Sequence, residues 1–129
     1  WIGGRSMERL LIGAGALAGG SAVALAAARA HLFAPRLASA ELAMLDSALA
    51  IQAMHALALL AVALLLARWG SAAVRLAGIA FMAGTLLFCG AVLLRALAGL
   101  SLGPVAPVGG SLLILGWLAL LAAATTRRG

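Results

Sequence analysis

The chain has 129 residues, 66% of them apolar, and its formal charges are nine Arg and three Asp or Glu. A soluble domain of this length would carry roughly thirty charges, and disorder requires low hydrophobicity, so both classes are excluded. A single Cys excludes an intrachain disulfide scaffold. What remains is a membrane protein.

Residues 10–28, 47–67 and 76–94 contain no Asp, Glu or Arg, and the fourth such run, 96–126, is longer and includes a turn. A hydrocarbon core of about 30 Å takes about 20 helical residues, so each run can span once. Backbone groups in hydrocarbon must pair within the segment, which makes the spans helices. A β-barrel would need ten-residue segments of alternating polarity, and none is present. The expected fold is therefore an all-α integral membrane protein, a four-transmembrane-helix antiparallel bundle. Its helices are expected at about 9–30, 41–67, 73–98 and 107–126, within a single domain of 7–126. Residues 1–6 precede Met7 and are read as an N-terminal extension or an expression remnant; 127–129 form a basic tail.

The first helix follows Met7-Glu8-Arg9 and ends in Ala26-Ala27-Ala28, imitating a signal peptide. Its apolar run is longer than a usual signal core, and it is read as a retained span. Gly15 and Gly19 form a GxxxG pair, and Ala16, Gly20 and Ala24 repeat the spacing on an adjacent face. Small residues let helix backbones approach closely. Contact with the chain's own helices is the preferred reading of this seam, an oligomer interface the other. Pro35 interrupts the 29–46 segment.

On the second helix Gln52 and His55 are three apart and read as one polar face, with His31 at the outer end of the first helix within possible approach. A structural hydrogen-bonding cluster tying helix one to helix two is preferred over a haem, metal or proton-responsive pair, because no third ligand and no HxxxH motif accompanies them. Met44, Met54 and Met82 do not form a copper motif. No metal site and no cofactor is expected. The short 68–74 linker makes helices two and three antiparallel neighbours.

On the third helix Thr85 and Cys89 share a face, and Cys89 has no basic neighbour in sequence to make it a nucleophile. Arg95 ends this helix near the level of Glu41 and Asp46. It either snorkels to the headgroups or pairs with Asp46, locking helix three onto helix two. Pro107 suits the first turn of the fourth helix, and Gly109 and Gly110 give a tight helix entry.

Orientation follows from the arginines. Arg5, Arg9, Arg68, Arg75, Arg127 and Arg128 fall on one side, and Arg29, Arg36 and Arg95 on the other. The larger group marks the cytoplasmic face, so both termini are expected inside, with Trp69 as an interfacial anchor there. The net charge of +6 is scattered among helix ends; it reads as topology signal and headgroup contact, and nucleic acid is not an expected partner.

Ala30-His31-Leu32, Gln52-x-x-His55-Ala56-Leu57-Ala58-Leu59-Leu60, Leu87-Phe88-Cys89-Gly90, Pro104-Val105-Ala106-Pro107-Val108-Gly109-Gly110 and Gly116-Trp117 stand in an order and spacing that resembles one family. It is the bacterial family of small four-span inner-membrane proteins filed as domain of unknown function four-two-three, which has a eukaryotic branch. The resemblance runs from about Met7 to Ala124. It implies an integral membrane protein without an established activity, with His31, Gln52, His55, Pro107, Gly109 and Gly110 matching the family pattern. The chain departs where the family tends to Ser-Gly-Ser-x-Tyr and this sequence reads Cys89-Gly90-Ala91-Val92-Leu93, and again in having Arg29 before the Ala-His pair.

No catalytic residue set is present. The expected function is that of a non-enzymatic inner-membrane protein, an accessory or interaction subunit of a larger assembly or a homo-oligomer. The alternatives are a transporter or channel component formed by oligomerisation, and a haem-, copper- or quinone-binding protein using His31 and His55. Against transport, no acidic residue lies deep in a span and no half-helix break is evident.

Overall fold

A computed structural model describes the backbone of residues 2–126 and the side chains of 5–126. Trp1 and the basic tail of Arg127, Arg128 and Gly129 lie outside the described backbone. The described residues are helical throughout apart from short connections: α1 (Ile2–Ala28), continued by a π-helical turn (Arg29–Phe33), α2 (Ser39–Trp69), α3 (Ala72–Ala98) and α4 (Val105–Thr126). All four are long and apolar enough to cross a membrane. At 1.5 Å per residue α2 is about 46 Å long, which exceeds an apolar core of about 30 Å. Its first turns, with Glu41 and Asp46, therefore reach past the charge-free stretch.

The ends are set by local chemistry. Pro35 has no N–H to continue α1, and the chain leaves through a widened turn in which the Ala34 N–H reaches Arg29 O at 2.9 Å. Gly70 closes α2 in the left-handed conformation at φ 61°. Ser71 then opens α3 by accepting the Ala73 N–H at 3.1 Å. The second connection is thus Gly70-Ser71 alone, tighter than the 68–74 linker expected. Helix α1 starts several residues before position 9, since hydrogen bonding along the axis does not depend on an apolar sequence.

Successive helices are antiparallel neighbours. Gly15 lies against Ala56 and Leu60, Ser21 against Gln52 and Arg29 against Asp46, so α1 and α2 run in opposite directions. Gly78 with Val62 and Cys89 with Ala48 show the same for α2 and α3. Gly84 with Gly109, and Phe81 with Gly116, show it for α3 and α4. Among the described residues α1 and α4 do not pack on each other, and α4 meets α2 only through side chains. The four helices form a row folded about α2 and α3 rather than a closed bundle.

The main core joins Leu11, Leu59, Val62, Leu66, Val74, Phe81 and Leu113. A smaller cluster of Leu45, Leu49 and Ala96 sits at the Pro35 end with Phe33, Leu37 and Leu93 around it. The outer surface is apolar on every helix: Leu17, Leu57, Leu64, Leu86 and Ile114 are all more than half exposed.

Candidate functional site

The polar groups of the helices are few, and Gln52 and His55 among them join one helix to another. Gln52 and His55 are both buried, at 6% and 3% exposure. Three residues apart on a helix, they point about 60° apart around its axis, and this splits them between different neighbours. The Gln52 amide donates to Ala18 O at 2.9 Å and to Ser21 Oγ at 2.7 Å, fastening α2 to α1. His55 turns instead towards α4. The indole N–H of Trp117 donates to His55 Nε2 at 3.0 Å. An indole nitrogen only donates, so Nε2 is the acceptor, and the ring proton sits on Nδ1, 2.8 Å from Ile51 O. Of the residues expected to tie helix one to helix two, Gln52 contacts α1 and His55 instead joins α2 to α4.

Phe81 of α3 completes the junction. Its ring lies edge-on to His55 at 5.3 Å between centroids and tilted against Trp117 at 4.9 Å, while His55 and Trp117 are 5.8 Å apart. These rings join three helices at one level. In the sequence Trp117 was visible only as part of the family pattern, and Phe81 and Ser21 carried no signal at all. Pairing between helices α2, α3 and α4 depends on rotations about each axis that spacing does not reveal.

His31 is exposed on the widened turn. Arg29, on that same turn, pairs with Asp46, and His55 lies about 13 Å further along α2 from Asp46. The two histidines are thus at different levels and do not form a pair. Among the described residues no three His, Cys, Asp or Glu side chains come together as a metal site.

Of the two readings for Arg95, the ion pair with Asp46 is not formed, and Asp46 pairs with a different arginine. Arg29 Nε and Nη2 reach the two carboxylate oxygens of Asp46 at 2.8 and 3.0 Å, a two-pronged contact across the α1–α2 connection. The widened turn carries Arg29 to this position, whereas Arg95 ends α3 exposed. Arg29 is also the residue by which the chain departs from the resembled Ala-His pattern. Cys89 is buried, its thiol directed at Ala48 O at 3.5 Å.

Glycines form the closest helix contacts. A Cβ on Gly15 would lie 2.9 Å from Ala56 O, whereas one on Gly19 would make an ordinary 3.6 Å contact. Gly109 sits against the backbone of Phe88 and Gly84, while a Cβ on Gly110 would make only an ordinary 3.7 Å contact with the Phe88 ring. Gly78, Gly84 and Gly116 are equally tight contacts; the sequence marks only Gly116, as part of the family pattern, because each is paired with a residue far away in the chain.

Residues 25–110 match the model of the family described as Protein of unknown function (DUF423). The chain belongs to this family. No solved structure matches it. The DUF423 match contains His31, Gln52, His55, Pro107, Gly109 and Gly110, and it ends before Trp117 and begins after Ser21. The partners of Gln52, Ala18 and Ser21, and the α4 partner of His55, Trp117, thus lie outside the matched segment, while Ile51, the other partner of His55, lies inside it.

Proposed function

We propose that this DUF423 protein is a multi-pass protein of the bacterial inner membrane, with both termini in the cytoplasm, that acts without catalysis as an accessory subunit beside a partner helix. The four apolar helices and the distribution of arginines support the placement. The observation that carries the accessory role is on α1. Its Gly15–Gly19 seam is taken up by α2, yet Ala16, Gly20 and Ala24, which repeat the same spacing, are exposed. A Cβ on Gly20 would meet nothing within 4 Å, so nothing inside the chain requires glycine there. Glycine in a helix costs roughly 0.5–1 kcal/mol relative to Ala, and close approach of another helix is the ordinary reason for keeping one in an apolar span. The same helix buries far fewer of its residues than α2 does.

The commitment of both His55 ring nitrogens to Ile51 and Trp117 favours a structural role over haem or copper ligation. No observation favours transport.

Gentle extraction of the tagged protein, followed by native mass measurement and identification of what co-purifies, tests this reading. The expected result is an assembly larger than one chain, lost in Gly20→Leu while the melting temperature of the isolated chain is kept. A wild-type protein that is monomeric under the mildest extraction, with no stoichiometric companion, overturns the accessory role.

A further inference from the structure

Near the terminal ends of the helices, α1 and α3 are held together by Leu11, whose side chain fills the space beside Gly78; a Cβ on that glycine would lie 2.8 Å from it. Towards the Pro35 end the two helices part, leaving a groove with α2 as its floor. The groove encloses about 380 Å³, within the about 300–1,000 Å³ of small-molecule sites. Leu17, Leu86 and Leu93 supply apolar walls, while Gln52 and Thr85 line it at mid-span. Thr85 is 8% exposed, and its hydroxyl has no hydrogen-bond partner, not even the carbonyl one turn back that a helical Thr ordinarily uses. The Gln52 amide nitrogen is committed twice to α1. Its carbonyl oxygen has no partner among the described residues. A buried hydroxyl without a partner, as at Thr85, is rare because it is costly.

We propose that this groove binds a neutral, single-chain lipid with a hydroxyl head, its chain along the leucine walls and its hydroxyl between Gln52 and Thr85, the Thr85 hydroxyl, which is closed off from the groove in its present rotamer, turning about its Cα–Cβ bond to meet it. A hydroxyl can donate to the amide oxygen and accept from, or donate to, Thr85. No charged residue lines the groove, so an ionised head would stand unpaired at mid-span. The proposal rests on the reading that the helices cross a bilayer, and it is independent of the accessory role.

The test uses the full chain in lipid nanodiscs with two probes, a long-chain primary alcohol carrying a diazirine and an alkyne, and the matching hydrocarbon without the hydroxyl. After irradiation the alcohol is expected on α1 and α3 peptides lining the groove. Gly90 also lines it, and a Cβ there meets nothing within 4 Å, so Gly90→Leu fills the space and should remove that labelling. Thr85→Val should lower alcohol labelling about three- to tenfold, the worth of one hydrogen bond, and leave hydrocarbon labelling unchanged. Equal labelling of wild type and Gly90→Leu overturns the proposal, as do labels spread over the outer faces or a crosslinked dimer seated in the groove. Should Gly90→Leu not fold, the two-probe comparison of Thr85→Val decides. Alkaline carbonate extraction tests the membrane reading separately: release of the wild-type chain into the supernatant refutes that reading itself, whereas a retained but unlabelled chain refutes only the lipid site.

Discussion

At His55 each ring nitrogen has one partner, and the two partners lie on different elements: Ile51 O on its own helix and the Trp117 indole on α4. Trp117→Phe keeps the ring contacts with Phe81 and removes the donor, leaving Nε2 as a buried acceptor without a bond. The expected cost is about 0.6–2 kcal/mol, the range of single hydrogen bonds between apolar helices, read as a lower melting temperature in detergent. At the Pro35 end the prediction separates two arginines. Arg29→Ala should lower the melting temperature, and added salt should shrink the difference from wild type, because the contact with Asp46 is exposed to solvent screening. Arg95→Ala should leave it unchanged. Gln52 and His55 could be singled out from the sequence because polar side chains in apolar runs are conspicuous. Their partners could not, since Ser21 and Trp117 are unexceptional in composition and are selected by helix rotation. The sequence offers Arg95, near the level of Asp46, as one partner for it; the widened turn at Arg29–Phe33 instead brings Arg29 to the carboxylate.

Among the elements, α3 and α4 are joined most closely, and the reason is the Gly84–Gly109 crossing, where backbone meets backbone. Gly109→Leu must separate the helices, because the side chain would be driven into the Phe88 main chain; the cost should reach or exceed the top of the about 1–3 kcal/mol typical of overpacking. Gly110→Ala, facing the Phe88 ring at 3.7 Å, should be tolerated. Denaturation of the two variants in mixed micelles distinguishes them, and equal loss of stability in both would contradict the assignment of the contact to Gly109. The pair was legible in sequence as a tight helix entry, but its two members are not equivalent. Adjacent helical residues point about 100° apart, so Gly109 meets the α3 backbone while Gly110 meets only the Phe88 side chain.

For the molecule as a whole, the row arrangement leaves α1 and α4 each covered mainly on one side, with fewer of their residues buried than in α2 and α3. The inner helices carry the core, and the outer two offer their free faces to lipid or to another protein. Reporter fusions at either terminus should be active only as cytoplasmic reporters if the arginine bias sets the orientation. Moving that bias, by replacing Arg68 and Arg75 with Gln while adding two Arg to the 99–104 connection, should yield a mixed or reversed population. An unchanged orientation in that variant would show that something other than loop charge directs insertion.

The sequence by itself determined the number of helices, their approximate bounds and the apolar environment they require, because each of these follows from where twelve charges interrupt an apolar chain. It also singled out Gln52, His55, Asp46 and the glycines as the features in need of partners. Which partners they find was decided only by the tertiary structure. A helix presents a residue every 100°, so small differences in rotation and one widened turn send Gln52 to α1, His55 to α4 and Asp46 to Arg29. The same rotations leave Thr85 unpaired at the groove between α1 and α3, a vacancy that no spacing along the chain records.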